Sequence, residues 1–569
     1  MKKGFFYSLT LATVVACSTF EVDTLPPDNG VDWGPGMITE IVSGSRGSST
    51  KATIDANADF AWTVGDNLAV HVSNGTTGQY VFTSGDGGAS ASAASAYFMV
   101  AYESGYSRDA FAVFPSTIVN AEAENYGQSG HPLDVTLPST YTLAQVSGEN
   151  GMISPCPMIA TNTAGSGWEF YQLCSLLRLT INCIPKGTKR LEIDFNGKKV
   201  WGDFSIASGV NPGESVISTA ADADHDVITI IKDGSDSPMF TGKLNGQVID
   251  VWKDGLVLNI PLPIGDYTNI TVSAYKELTG GNAVLTMTRS FDYTATRVKG
   301  VKKTTSFPVF SVNNNRSTRV LFAPGNLQAT TNDNGSTWTW GFAAHQYDFI
   351  GAGSANTKID GNGTVSENGT VDLFGYSTPN NYYGISTSSG DYSGSFKDWG
   401  TIEGIAGKPA GYWKTMSTGN SNDKEWWYMM RSRPTDNRSY TRAVINTDGT
   451  PVNGIILFPD YYDGGTPEGV TTWGSIMNSY SASTYDNGAK CTSAGWAALE
   501  AAGCVFLPAA GYRNGSAITS GELRYGTCSP RNDNLWYILS FKNGEMVYWN
   551  EDGKYKRHGY SVRLVHEVN

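Results

Sequence analysis

The sequence predicts a multidomain, mainly β protein that ends in an α+β portion. Three observations predict it. The chain has 569 residues, too many for one hydrophobic core and enough for about three to four domains. Charged residues make up only 16%, while aromatics reach 12% and glycines number 65, a balance that fits a secreted, turn-rich β protein better than a cytosolic helical enzyme. Apolar residues alternate with polar ones in short runs such as Leu68-Ala69-Val70-His71-Val72, and turn-forming residues separate the runs.

The first residues read as a targeting segment. Lys2 and Lys3 precede the apolar stretch Gly4 to Val15, which is too short to span a bilayer as a mature helix. Val14-Val15-Ala16-Cys17 resembles a bacterial lipobox, which implies cleavage after residue 16 and a lipid on Cys17. No later apolar run is long enough to cross a membrane, so the expected membrane attachment is the lipid alone. Residues 17–36, with Pro26, Pro27 and Pro35, read as a solvated tether. The net charge of −13 and the lack of a basic stripe argue against a nucleic-acid partner.

Strand patterns begin at Met37. Ile38 to Gly44, Phe60 to Val72, Gly78 to Ser84, Ala96 to Glu103 and Asp109 to Ser116 alternate and are bounded by turns. Glu169 to Cys183, Leu191 to Gly209 and Leu258 to Tyr275 repeat the pattern. In this order the runs resemble the fimbrillin family of Bacteroidetes pilins and surface lipoproteins. The resemblance covers about residues 37–310 and implies two transthyretin-like β-sandwiches, 37–168 and 169–310, followed by a polar linker, 311–318. It also implies partners, namely other pilin subunits. In that family the chain is often cut after an Arg near the first strand, which opens a groove for a donor strand. Arg46, followed by Gly47, stands at about that place, and its other reading is a lone solvated loop residue in poor strand-forming Gly-Ser surroundings. Edge-strand addition of this kind uses unpaired backbone N–H and C=O groups.

Residues 319–569 carry the α+β portion. Asn422 to Arg433 predicts a short helix with Asp423 as its cap and Trp426, Met429 and Met430 on one face. Thr492 to Gly503 predicts a second, capped by Ser493 and stopped at Gly503. Gly454 to Tyr462 reads as a buried strand running into a loop, Val505 to Leu507 and Leu535 to Leu539 as strands flanking a polar loop region, and Tyr560 to Leu564 as the closing strand. The whole resembles the C-type-lectin-like modules of Bacteroidetes surface proteins, related to the Fibrobacter major paralogous domain and, more distantly, to the formylglycine-generating enzyme fold. Because the last strand lies inside its own domain, the resemblance implies a subunit that accepts a strand rather than donates one.

Catalytic signatures are missing from the sequence. The six histidines are scattered, and no G-x-S-x-G, H-E-x-x-H or phosphate loop occurs. Enzymes related to the lectin-like fold use two nearby cysteines, whereas Cys528 stands alone in GTCSPR. We therefore expect no enzyme, no cofactor and no metal. Asp222, Asp224 and Asp226 would share one side of an extended segment, but they read as an acidic turn. The run Arg531-Asn532-Asp533-Asn534-Leu535-Trp536 contains the residue types of a lectin calcium motif in a different arrangement. The six cysteines other than Cys17 match no zinc spacing and read mostly as buried thiols.

For ligand binding, rings beside amides and carboxylates suit a sugar or peptide. Two stretches qualify: Asp460, Tyr461, Tyr462 and Asp463, and Asn532, Asp533, Asn534 and Trp536, with Trp536, Tyr548 and Trp549 reading also as core residues. The expectation is an outer-membrane lipoprotein at the cell surface or on a fimbrium. It would be an adhesin, and a tip subunit, that binds a glycan or protein. The alternative is a non-polymerising lipoprotein that captures glycans for nutrient uptake.

Overall fold

The computed structural model describes residues 37–568 apart from 47–52, 55–59, 62–65, 77, 83–94, 120–131, 147–156, 164–166, 208–210, 212, 240–242, 245–246, 249–254, 284, 287–289, 298–301, 314–317, 361–363, 420, 422, 433–439, 448, 463–466, 472–487, 543–544 and 548–553. Cys17, Gly47, Cys156, Asp463, Tyr548 and Trp549, with the targeting segment and tether, lie outside the described residues. The protein is mainly β and multidomain.

The first body is built on a seven-stranded sheet in the order Gly78–Phe82, Ala69–Ser73, Ser107–Phe114, Met158–Thr163, Gly167–Gln172, Met37–Arg46, Ser95–Glu103. Successive residues of a strand face opposite sides. Ala69, Val113 and Ile159 therefore enter one core and Val70, Ala112 and Met158 another. The first of these cores is shared with the pair Leu133–Leu137 and Gly202–Ile206. Met37–Arg46 runs antiparallel to Ser95–Glu103 and, over Gly44 to Arg46, parallel to Gly167–Gln172.

The second body is a sandwich. A three-stranded sheet (Leu256–Leu262, Ser175–Asn182, Lys302–Ser306) faces a six-stranded one centred on Gly265–Tyr275, Arg190–Asp194 and Val227–Ile231. Leu177, Leu179, Ile181, Leu258 and Ile260 from the first meet Ile193, Ile230 and Val272 from the second in one fully buried core. Strand Thr140–Thr142, well upstream in sequence, completes the larger sheet by pairing with Val227–Ile231. Cys174, Cys183, Cys491 and Cys504 are buried thiols, and Cys528 is a half-buried one.

The third body has a five-stranded sheet in the order Val470–Thr471, Ala489–Thr492, Tyr440–Thr447, Thr450–Leu457, Val505–Pro508. Ile455, Leu457, Val505 and Leu507 enter the core on one face, and Ile456 and Phe506 the core on the other. Helix Ser493–Ala501 adds Trp496 and Leu499 to the second of these. A third core gathers Trp399, Trp413, Trp536, Tyr560 and Val562 beneath the long loops of residues 349–413.

Several local expectations change. The stretch between Val505 and Leu539 is not a loop region. It holds a hairpin, Tyr512–Asn514 with Ala517–Thr519 turning at Gly515 (φ +61°), and the eight-residue strand Leu523–Pro530. Its polarity misleads because Arg513 and Arg524 are buried, Arg513 donating to the carbonyl of Leu373. Helix Ser493–Ala501 is capped by Thr492, whose hydroxyl accepts from Gly495 N at 3.1 Å, rather than by Ser493. Asp423 does not cap the other helix. Lys424 occupies that position without a side-chain bond, and the α turn Glu425–Trp427 widens into a π turn over Tyr428–Ser432. Trp426, Met429 and Met430 are buried there together. The closing segment pairs as Gly559–Tyr560 and Val565–Glu567, with Tyr560, Val562 and Leu564 fully buried.

Candidate functional site

Three segments of the third body converge on a cleft of about 450 Å³, lined by Ser389, Gly390, Tyr392, Ser393, Asp533, Asn534, Tyr555, Lys556 and Arg557. Each wall is fixed by local polar bonds. In the first, Ser386 Oγ donates to Asp391 at 2.5 Å, and the Tyr392 hydroxyl donates to the Ser386 carbonyl at 2.5 Å. In the second, Asn532 Oδ1 accepts from Asn534 N at 3.0 Å and Leu535 N at 2.9 Å. This is the side-chain-to-backbone turn that Asn favours. It thrusts Asp533 and Asn534 outward. The third wall is stitched to the other elements through Lys556, whose N–H donates to the Asn534 carbonyl at 2.9 Å and whose carbonyl accepts from Tyr376 N at 2.7 Å.

The cleft mixes an exposed ring with cations. Tyr555 is 49% exposed. The Arg557 guanidinium lies 4.9 Å from the Tyr555 ring centroid, and Lys556 Nζ lies 4.5 Å from that of Tyr376. Among the described residues neither cation has a carboxylate within ion-pair distance. Burial pulls the Lys556 ammonium below its ordinary pKa, with Asp533 opposing. His558 behind them is pulled to about 4 by burial, then by the like charges of Arg557, Arg524, Arg513 and Lys554. Of these cations Arg524 is ion-paired with Glu522, so Lys556 and Arg557 are the charges this wall presents to the cleft in a chain of net charge −13.

The two stretches expected to bind ligand go to different places. Asp533 and Asn534 line the cleft and Asn532 shapes its turn. Trp536 is fully buried, with its ring 5.2 Å from Tyr376 and 5.5 Å from Tyr560. Asp460 is 1% exposed. Its N–H donates to the Val309 carbonyl at 2.8 Å, and its carboxylate accepts from the backbone N–H and hydroxyl of Ser311. Tyr461 packs on the core of the second body, and Tyr462 is buried against Phe458 with ring centroids 5.1 Å apart. Asp460 to Tyr462 thus knit the third body to the second. Tyr555, Lys556 and Arg557 were missed by sequence reasoning, although the run Lys554-Tyr555-Lys556-Arg557 in so acidic a chain was a legible signal.

Other expected sites stand as follows. Arg46 is the last residue of its strand and pairs with Phe170. Asp222, Asp224 and Asp226 form a turn: Asp222 Oδ2 lies 2.8 Å from His225 Nδ1, and Asp226 accepts from Gly197 N at 2.7 Å. Among the described residues, no three His, Cys, Asp or Glu side chains converge as metal ligands.

No protein-family model matches the chain, and no curated protein matches it. Three solved structures are similar in part. One is a candidate cell adhesion protein from Bacteroides ovatus, at 12% identity over 41% of this chain and 81% of that one, with a TM-score of 0.24. Another is the tip fimbrial protein Mfa3 from Porphyromonas gingivalis with a C-terminal truncation, at 12% identity over 44% and 82%, with a TM-score of 0.19. The third is a candidate cell adhesion protein from Bacteroides fragilis, at 10% identity over 54% and 98%, with a TM-score of 0.19. These scores are too low to define a common fold.

Proposed function

We propose that this chain is a cell-surface adhesin of fimbrillin type, a tip subunit that accepts a neighbour's strand in its first body and presents the third body's cleft to a glycan or protein. The observation that carries the reading is the placement of Met37–Arg46. This strand lies inside its sheet, hydrogen-bonded to Ser95–Glu103 on one side and to Gly167–Gln172 on the other, and it ends at Arg46. Cutting after Arg46 and removing the strand would unpair Ser95–Glu103 along nine residues and Gly167–Gln172 over three, leaving backbone groups for an extended segment to pair with. Lipid attachment at Cys17 and export to the cell surface belong to the same proposal, as does a role in binding rather than catalysis.

The N-terminus of the protein recovered from sheared-surface and outer-membrane fractions tests it. The expected result is a chain starting at Gly47 in the sheared fraction. A lipid-modified Cys17 in every fraction would overturn the assembly reading and leave the second one, a stationary lipoprotein that captures glycans. That reading is favoured by one observation. Arg46 is itself laddered to Phe170, and a protease must free that backbone before it can cut.

A further inference from the structure

We infer that the cleft takes a sugar residue bearing an anionic group, a carboxylate or a sulfate, with Arg557 and Lys556 holding that group and the Tyr555 ring supporting the apolar face of the pyranose. The inference rests on the proposed ligand-binding role of the third body.

Charge is the first ground. The chain carries 53 acidic against 40 basic residues, yet Lys554, Lys556 and Arg557 fall within four positions, and the last two line the cleft; Arg524 nearby is already ion-paired with Glu522. Such a local concentration focuses field on anions. The second ground is pairing. Both cleft cations lie over tyrosine rings, and among the described residues neither meets a carboxylate at ion-pair distance. A guanidinium resting on a ring keeps donors at its edge for a planar acid group. Lys556 is 4% exposed, and a cation this close to burial gains most from an arriving counter-charge.

The remaining lining suits hydroxyls. Asp533 can accept from sugar O–H groups, Asn534 can both donate and accept, and Ser389 and Ser393 add hydroxyls to the lining. The Asp533 carboxylate repels an anion set beside it, so the acidic substituent points toward Arg557 and the hydroxyl edge toward Asp533. A volume of about 450 Å³ falls within the range of small-ligand sites, roughly 300–1,000 Å³. A nucleic-acid strand is a poor fit, since it needs a longer basic track than one cleft.

Calorimetry and saturation-transfer NMR on the full chain with glucose, glucuronate and glucose 6-sulfate test the inference. Glucuronate or the sulfate should bind ~10-fold or more tightly than glucose, as expected for one charge-assisted bond, and the preferred probe identifies the acid group. Arg557→Gln should remove this preference while the melting temperature holds. Tyr555→Ala should weaken all three sugars, the two anions most, because the ring also seats Arg557. Equal binding of glucose and both anions would overturn the inference and leave the glycan-binding role standing. Binding by none of them, with the melting curve intact, would overturn the inference and count against glycan binding as well. An unchanged preference in Arg557→Gln would also overturn the assignment.

Discussion

At the scale of single residues, the side chains that decide behaviour are those whose setting contradicts their type. His558 is the clearest. Its folded pKa of about 4 lies below the ordinary 6.5, through burial and then through Arg557, Arg524, Arg513 and Lys554. Above pH 6.5 both folded and unfolded chains hold it neutral. Between 6.5 and 4 the unfolded chain takes up a proton that the folded chain refuses, so stability falls as the pH falls. Because the ring is partly solvated, the loss is on the order of 1–3 kcal/mol. Asp372 and Asp398 act in the opposite sense. Burial raises both, so the folded chain keeps their protons to higher pH and gains stability on acidification. Comparison with a variant isolates the histidine. The melting temperature should drop more between pH 7 and pH 4.5 in the wild type than in His558→Gln, and equal drops would refute the assignment. Such residues also mark where sequence reading failed. Trp536, Asp460 and Tyr462 have the types of a sugar site but are buried, while Lys556 and Arg557 have the types of an ordinary solvated run but line the cleft. Type alone does not distinguish an aromatic core from an aromatic surface when 12% of the chain is aromatic.

At the scale of elements, period and punctuation were legible. Leu191 to Gly209, Leu258 to Tyr275 and Gly454 to Tyr462 alternate or run apolar, and each contains the expected strand. Trp496 and Leu499 point inward as their spacing requires, and Gly503 follows the helix with φ +81°. Boundaries were less legible, because Thr492 and Ser493 are equally plausible caps until the backbone is known. The structure discriminates between them. Thr492→Ala should cost ~1 kcal/mol through loss of the bond to Gly495 N. Ser493→Ala should be nearly neutral, since its hydroxyl reaches only the Asn446 carbonyl at 3.3 Å on an exposed surface. Chemical denaturation of both variants checks this, and a larger loss in Ser493→Ala would reverse the assignment. Gly454 carries a different demand. A Cβ there would strike the Leu507 carbonyl and the Phe506 ring, so Gly454→Ala should cost about 1–3 kcal/mol by overpacking the central sheet.

At the scale of the molecule, the second and third bodies share a seam that no sequence period announced, since its partners are distant along the chain. Phe307 and Val309 enter the core of the second body, while Phe310 and Val312, one to three residues on, enter a core of the third. Asp460 returns from the third body to bind Val309 and Ser311, and Val568 is buried in the core of the second. Ser311 itself is buried and pairs with Arg319. A seam of shared side chains and buried hydrogen bonds couples the unfolding of what it joins, unlike a solvated linker, which leaves each side to melt alone. The second and third bodies should therefore unfold in one calorimetric transition. Val568→Asp would bury an unpaired carboxylate in one core, and Asp460→Ala would remove the carboxylate that accepts from both the backbone N–H and the hydroxyl of buried Ser311. Either change should split the transition in two, with the ligand-dependent part following the third body. Two separate transitions already present in the wild type would refute the coupling. Under the adhesin role proposed above the consequence would be mechanical. Load entering at the cleft would then reach the second body through paired backbone and packed side chains, so the fold would bear tension ahead of any linker.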